Sequence, residues 1–351
     1  MVEHLLAKEK VAGSIPVSRS PSRRRRQVVR HGSAKAVYSG SNPLVASKNR
    51  REMQVASLLF LSTINFQPCS SGSLLMSQPH SYSAEAIVLK HSDLGEADRI
   101  VTLFTPYKGK VHAVAKGARR PISKKAGHLE LLCYSQLHLA QGRNLDIITQ
   151  AQSIESFVNL RNQLWHMTCG FYLAELVDRF IEDDAPHLDV YNLLLEALRT
   201  LNSHAQGAQS SKSQEIGDRA VNNDRTQLLL HYFEIYLLSF IGYEPVLRSC
   251  AHCKAELLPR ENGFNPSLGG ALCPNCSHLW SQALSMNALK VLRLLQRTEW
   301  PLIPHFRFER SVQAEVKAAT HSLLRFHLER DLKSWSFLEM LELSEQRRIA
   351  N

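Results

Sequence analysis

Four of the seven cysteines fall in two tight pairs separated by 19 residues, Cys250-x2-Cys253 and Cys273-x2-Cys276. A two-residue gap lets one turn direct both thiolates at a single ion, and a second pair completes a tetrahedron. The spacing therefore predicts a zinc site. The alternatives are two disulfides or four reduced buried cysteines, and the nearby histidines are interpreted as bystanders. Four protein ligands leave no open position for water or substrate, so we expect the zinc to be structural.

A second chemical signal is a run of cations. Between residues 108 and 125 the chain has seven lysines and arginines and no acidic residue. Cations spread over a strand and a Gly/Pro-containing loop can follow a phosphate backbone and release its counterions. We therefore predict nucleic-acid binding by the whole run, which consists of Lys108, Lys110, Lys116, Arg119, Arg120, Lys124 and Lys125. A solvated loop is the alternative. Tyr107 is equally suited to stacking on a base and to packing at a barrel edge.

Catalytic patterns are absent from the sequence. It contains no GxxxxGK[ST] loop, no GxGxxG after a strand, no HExxH and no GxSxG. The acidic cluster at residues 182–184 is followed directly by Ala185-Pro186 and is interpreted as a solvated helix end rather than a Mg²⁺ site. We therefore expect a protein that is not an enzyme.

The elements that carry the cationic run are short and strand-like. Five runs rich in Val, Ile, Leu and Thr alternate with turn-forming residues. With no room for crossover helices, they predict a small antiparallel barrel of the OB type over residues 76–157. The predicted strands are Tyr82–Lys90, Arg99–Thr105, Gly109–Lys116, Leu129–Gln141 and Leu145–Ser156.

After the predicted barrel, apolar residues recur at the spacing of an α-helix. Residues 158–249 are predicted as the first part of a helical domain, with a mobile polar loop at 202–225 and a central helix at Thr226–Ile241. The zinc module at 250–280 interrupts this domain, whose second part is 281–351. There, amphipathic segments lie near Met286–Arg297 and Gln313–Leu338. The fold class is α+β: an N-terminal OB-fold β-barrel followed by an α-helical bundle with an embedded four-cysteine zinc module.

Charge is distributed unevenly along the chain. Residues 1–75 hold 12 Lys/Arg against 3 Asp/Glu, which accounts for +9 of the total of +10. The apolar residues of this segment follow no sustained helical or strand period, and the segment is predicted to be a disordered basic extension. It is either a nucleic-acid-binding arm or, as we favour, a mis-annotated start, with Met76 as the true first residue. Two tight cysteine pairs and no apolar stretch long enough for a bilayer indicate an intracellular protein without a membrane partner.

Several separate motifs resemble the bacterial recombination mediator RecO family. They cover about residues 81–340 and occur in the family's order. The motifs are Ala84–Lys90, Leu94–Val101, Thr105-Pro106, Gly109-Lys110, Ala115–Arg120, Phe240–Pro245 and the two cysteine pairs.

The resemblance implies an N-terminal OB domain, a helical domain and an embedded zinc module. It also implies binding of single- and double-stranded DNA, annealing of complementary strands, and work with RecR to load RecA onto DNA covered by single-strand-binding protein. Nucleotide hydrolysis is not needed, and the expected location is the cytoplasm, in association with the nucleoid. A zinc-stabilised helical adaptor that binds only proteins is the alternative function.

Overall fold

In the computed structural model, the described residues are 81–210, 216–300 and 308–350. The predicted basic extension at residues 1–75 lies outside them. The first five strands form a closed barrel in the order β1-β2-β3-β5-β4, in which β3 and β5 run parallel and the other pairs antiparallel. This is the strand order of the predicted OB-type barrel. The strands are β1 (Ser81–Leu94), β2 (Asp98–Thr105), β3 (Gly109–Ala115), β4 (Tyr134–Ala140) and β5 (Asp146–Glu155).

The barrel is filled by alternate residues of its strands, because successive side chains in a strand point to opposite faces. Val101 and Leu103 of β2 are fully buried in this interior together with Leu137 of β4. Phe104 and Ile87 point outward and join the core of the helical region instead. The outer surface of the barrel is therefore partly covered by helices, which limits where a ligand can approach.

Within the described residues, seven α-helices follow the barrel and carry most of the larger core. The central helix is α4, as the apolar run at Thr226–Ile241 predicted, and both Phe233 and Leu237 in it are fully buried. None of the helices in the described ranges is both long and apolar enough to cross a membrane. The helices are α1 (Val158–Arg161), α2 (Leu164–Phe180), α3 (Leu188–Ser210), α4 (Ile216–Phe240), α5 (Met286–Arg297), α6 (Arg310–Leu328) and α7 (Lys333–Ala350).

Two helical predictions require correction. The loop predicted at 202–225 is helical over 202–210, at the end of α3, and over 216–225, at the start of α4. Leu201 and Ala205 anchor that end of α3 because both are fully buried. The single segment predicted at Gln313–Leu338 is two helices, because Glu329 adopts a left-handed conformation with φ of 53° and ends α6.

The cysteine pairs lie in a small module inserted between α4 and α5. Its three-stranded sheet has the order β7-β6-β8, formed by β6 (Asn262–Asn265), β7 (Gly270–Leu272) and β8 (Gln282–Leu284). Phe264 and Leu272 of this sheet belong to the same buried cluster as the helices. The module is thus packed into the helical domain, as predicted, and holds the cysteines against it.

Candidate metal centre and nucleic-acid interface

The four paired cysteines converge on one point. The sulfur atoms of Cys250, Cys253, Cys273 and Cys276 all lie within 4.8 Å of one another, and the Sγ atoms of Cys253 and Cys273 are 3.5 Å apart. A tetrahedron with Zn–S distances of about 2.3 Å requires S···S separations of about 3.8 Å, so the spacing fits zinc. All four thiols are free, which argues against the disulfide alternative.

Local backbone turns hold each pair. The N–H of Lys254 donates to the carbonyl of Cys250 at 3.0 Å, and the N–H of Cys276 donates to the carbonyl of Cys273 at the same distance. Lys254 adopts φ of 63°, which closes the first turn. Trp280 packs directly on Gly263, where a Cβ atom would lie 2.1 Å from the indole ring. Only glycine therefore allows the tryptophan to cover this side of the module.

The thiols themselves favour a cation among them. Burial opposes ionisation of Cys250, but hydrogen bonds from surrounding backbone N–H groups lower its pKa to about 6. Burial and the neighbouring thiols raise the pKa of Cys276 to about 12. A thiolate at the first position thus forms readily, whereas further negative charge needs a compensating ion. A bound Zn²⁺ would supply that charge, and the four cysteines would hold it after losing their remaining protons.

His252 is beside the cluster rather than in it. Its Nδ1 atom lies 3.6 Å from the sulfur of Cys276, within reach of an N–H···S hydrogen bond. The four cysteines already provide a complete tetrahedral set, in agreement with the interpretation of the histidine as a bystander. Such a closed set leaves no position at which a metal could activate water.

The second site is the connection between β3 and β4, whose first part, Lys116–Lys125, we call the cationic loop. Its start is tied to the β1–β2 turn, because the N–H of Gly117 donates to Asp98 Oδ1 at 2.7 Å. Arg119 donates to the carbonyl of Gly95 at 2.8 Å and lies 3.5 Å from the carboxylate of Asp93.

The end of the cationic loop is tied to the opposite side of the barrel. Lys125 Nζ donates to the carbonyl of Ile148 in β5 at 2.9 Å. The short 3-10 helix Ala126–Leu129 follows, and His128 in it contacts Ser153 Oγ at 2.8 Å. Both ends of the cationic loop are therefore fixed to the barrel.

The apex of the cationic loop is open to solvent. Arg120, Pro121 and Lys124 are exposed, as is Lys116 at the base, while Ile122 is 93% exposed. Within residues 81–210, 216–300 and 308–350, no carboxylate pairs with Lys116, Arg120 or Lys124. These three cations are free to bind an anionic ligand, and Arg119 is available only in competition with Asp93.

Lys110 does not belong to this surface, and its prediction as a DNA contact is not supported by its surroundings. Its side chain is only 11% exposed and lies between helix α2 and the segment that follows it. Lys110 Nζ donates to the carbonyl of Asp178 at 2.8 Å and pairs with Asp183 Oδ1 at 3.2 Å. The same Asp183 oxygen is 3.2 Å from His112 Nε2. This lysine is already neutralised by the protein's own carboxylates.

Lys108 is separated from the cationic loop by the length of β3. It lies in the β2–β3 turn, just before Lys110. Six residues of strand at about 3.3 Å each separate Lys110 from Lys116, at the base of the cationic loop, by about 20 Å. Lys108 Nζ sits 3.4 Å from the centroid of the Tyr82 ring. Tyr107 beside it is 80% exposed, which rules out the packing role considered for it. The seven predicted cations thus form two groups at opposite ends of the barrel rather than one face.

Sequence reasoning missed the acidic partners. The cluster at 182–184 is not simply a solvated helix end, since Asp183 forms a parallel bridge to Lys110, and the N–H of Asp184 donates to the carbonyl of Lys110 at 3.0 Å. Burial raises the pKa of Asp183, but the hydrogen bond and charge of Lys110, with His112, lower it below its usual range. No local signal could have paired these residues, because they are more than 70 positions apart.

Comparison with known proteins matches both halves of this architecture. The family model "Recombination protein O N terminal" matches residues 76–157, and "Recombination protein O C terminal" matches residues 161–211 and 219–336. The DNA repair protein RecO of Dehalococcoides mccartyi strain BAV1 is 36% identical over 271 residues, which is 77% of this chain and 100% of that protein.

Two further relatives carry the same name. The DNA repair protein RecO of Roseiflexus sp. strain RS-1 is 39% identical over 74% of this chain and 85% of its own length. That of Desulforamulus reducens is 32% identical over 77% of this chain and 98% of its own length. With both family models matched in order and relatives aligned over most of their length, the chain belongs to the RecO family of DNA repair proteins.

Proposed function

We propose that this protein is a recombination mediator that binds single- and double-stranded DNA and anneals complementary strands. With RecR, it helps load RecA onto DNA covered by single-strand-binding protein. One observation carries the DNA-binding part of the proposal. The cationic loop is anchored at both ends on an OB-type barrel and presents three unpaired cations at its surface.

The loop suits phosphates in particular. Lys116, Arg120 and Lys124 meet no carboxylate in the described ranges, so binding phosphate does not require breaking an existing ion pair. Phosphates are common to single and double strands, and each neutralised phosphate releases condensed counterions. Arg119 and Lys125 already hydrogen-bond to backbone carbonyls and would mainly hold the loop in place. Contact with either form of DNA is therefore expected to depend on salt.

Annealing follows from the same electrostatics. Two complementary strands repel each other through their backbones, and a protein that neutralises both lowers that repulsion. The cationic loop at one end of the barrel and Lys108 at the other end could each take a strand. No bond is made or broken in this process, so it requires no nucleotide hydrolysis.

The zinc would act at a distance from DNA. Cys250, Cys253, Cys273 and Cys276 would hold the ion, and its role would be to fix the module against α4 and α5. We propose the domain limits 76–157 for the barrel, 158–249 and 281–351 for the helical domain, and 250–280 for the zinc module. The proposed location is the cytoplasm, in association with the nucleoid.

A charge-reversal experiment tests the DNA-binding proposal. Binding of a fluorescent strand of about 40 nucleotides, which spans several OB-type sites, is followed by anisotropy. Arg120→Glu with Lys124→Glu should weaken binding at least tenfold. The matched control is Arg330→Glu with Lys333→Glu, which makes the same charge change at exposed positions of the helical domain. Equal losses in both double variants would mean that only net charge matters, and would reject the loop as the interface.

A strand-annealing assay then tests the mediator role. The wild-type protein should accelerate pairing of complementary strands, both bare and covered by single-strand-binding protein, and the loop variant should not. The competing function, a zinc-stabilised adaptor that binds only proteins, predicts no DNA shift by the wild type at moderate salt.

A further inference from the structure

The apex of the cationic loop carries an aliphatic side chain that the fold does not use. Ile122 is 93% exposed, although isoleucine is among the residues that proteins most often bury. It follows Pro121 and precedes Ser123, whose N–H donates to the carbonyl of Arg120 at 2.9 Å. This turn places the isoleucine at the tip of the loop, with free cations on both sides.

The position of Ile122 is fixed rather than accidental. The loop is tied to the β1–β2 turn through Gly117 and to β5 through Lys125. A second turn, in which the N–H of Arg120 donates to the carbonyl of Gly117 at 3.2 Å, stiffens the part of the loop that precedes the tip. The loop therefore keeps the aliphatic group raised without requiring it to pack on the barrel.

We propose that Ile122 is a wedge that contacts nucleobases when the flanking cations hold the phosphates. Aliphatic side chains between base steps partly unstack them in proteins that deform DNA, and the neighbouring lysines or arginines secure the backbone. Here Arg120 and Lys124 take the phosphates on either side of the tip, and Ile122 meets the faces of the bases between them. The ligand is an unpaired or easily unstacked stretch of nucleic acid.

This inference rests on the proposed DNA binding and adds a role that charge alone does not give. Phosphate contacts carry the salt dependence of binding, whereas an aliphatic contact with bases contributes binding free energy that salt does not screen. A contact with the faces of the bases leaves their hydrogen-bonding edges open. The wedge would therefore hold bases that a complementary strand can still pair with.

The test uses single strands with 2-aminopurine at one position, because this base becomes more fluorescent when it leaves its stacked neighbours. Binding of the wild type at saturation should raise the fluorescence. Ile122→Ser should lose at least half of that rise and bind about tenfold more weakly, with an unchanged slope of log affinity against log salt. Ile122→Leu should restore both.

Two control variants test whether the effect is specific to Ile122. Val158→Ser changes another aliphatic residue that is 56% exposed but lies at the start of α1, and it should behave as wild type. Arg120→Ala should flatten the salt slope while keeping the fluorescence rise at saturation. If Ile122→Ser binds and brightens the probe as wild type does, the wedge is wrong and the proposed function stands. If the wild type does not bind the strand, both proposals are overturned.

Discussion

The salt dependence of DNA binding should distinguish Arg120 from Lys110, two cations of the same predicted run. Arg120 is exposed and has no carboxylate partner in the described ranges, whereas Lys110 is 11% exposed and held by Asp178 and Asp183. A phosphate can replace water around Arg120. At Lys110 it would have to displace two carboxylates. We therefore expect Arg120→Ala to change the electrostatics of binding and Lys110→Met to change the stability of the fold.

The size of each effect follows from the contacts. Each phosphate contact on a single strand contributes about 0.7 to the slope of log affinity against log salt. Removing Lys116, Arg120 and Lys124 together should lower the slope by about 2, so that raising salt from 50 to 200 mM weakens binding roughly 20-fold less than in the wild type. Lys110→Met should leave the slope unchanged and lower the free energy of unfolding by about 1–3 kcal/mol, because it removes charged hydrogen bonds.

Two measurements decide the matter. Anisotropy titrations of a fluorescent strand over this salt range give the slope, and urea unfolding followed by circular dichroism gives the stability. A slope that falls as much in Lys110→Met as in Arg120→Ala would show that the ion pairs of Lys110 open on binding. A wild-type slope in the triple variant would show that DNA contacts another surface. Either result would refute the assignment of the free cations.

Three further changes test other parts of the molecule. Cys276→Ser should abolish zinc in the purified protein, measured by inductively coupled plasma mass spectrometry, and lower the melting temperature, because a tetrahedral site lacking one thiolate binds the ion more weakly. Burial lowers the pKa of His166 to about 4, so the unfolded chain takes up its proton first as pH falls. His166 should therefore contribute a drop in stability of about 2 kcal/mol between pH 7 and 5, and His166→Leu should remove that contribution in urea unfolding at the two pH values. Tyr172 donates to the fully buried carboxylate of Glu234 at 2.6 Å. Tyr172→Phe should cost about 1–3 kcal/mol in urea unfolding, whereas Tyr107→Phe at the exposed turn should cost nothing measurable.

Each of these expectations has a clear contrary result. Full zinc content in Cys276→Ser would place the ion elsewhere or show that His252 replaces the missing ligand. An unchanged acid dependence in His166→Leu would mean that other groups titrate on unfolding. The two nitrogen atoms of His166 have no hydrogen-bond partner among the residues that the structure describes, so its replacement should also raise stability at pH 7. A neutral Tyr172→Phe would show that His231, 2.9 Å from Glu234, satisfies the carboxylate by itself.

The predictions that held depended on local patterns. Two-residue gaps bring cysteine pairs together whatever surrounds them, and the predicted helix Met286–Arg297 matches α5 because the N-cap of Ser285 and the apolar period are both local. The five strands were predicted within a few residues because alternation of side chains follows directly from strand geometry. The exception is the fourth strand, which was predicted from Leu129 but begins at Tyr134, because Leu129 ends a 3-10 helix and a turn follows it.

The predictions that failed depended on partners far away in sequence. Polar composition suggested a loop at 202–225, but α3 continues to Ser210, with Leu201 and Ala205 fully buried, and α4 begins at Ile216. The break between α6 and α7 at Glu329 has no proline or glycine from which it could be predicted. The surroundings of Lys110 could not be predicted from the sequence either, because its partners are on α2 and the segment after it, about 70 residues downstream.

These long-range pairs also explain how a region with little net charge, residues 76–351, can present a cationic surface. Outside residues 1–75 the chain has 30 Lys/Arg against 29 Asp/Glu, so binding cannot come from total charge. The outer face of strands β2 and β3 is the usual ligand surface of OB folds, yet Asp183 covers Lys110 and His112 there. The acidic segment thereby closes one route for phosphates. Lys116, Arg120 and Lys124 of the loop between β3 and β4 have no carboxylate partner in the described ranges, and we propose that this separation of charge directs DNA to the loop and its exposed isoleucine.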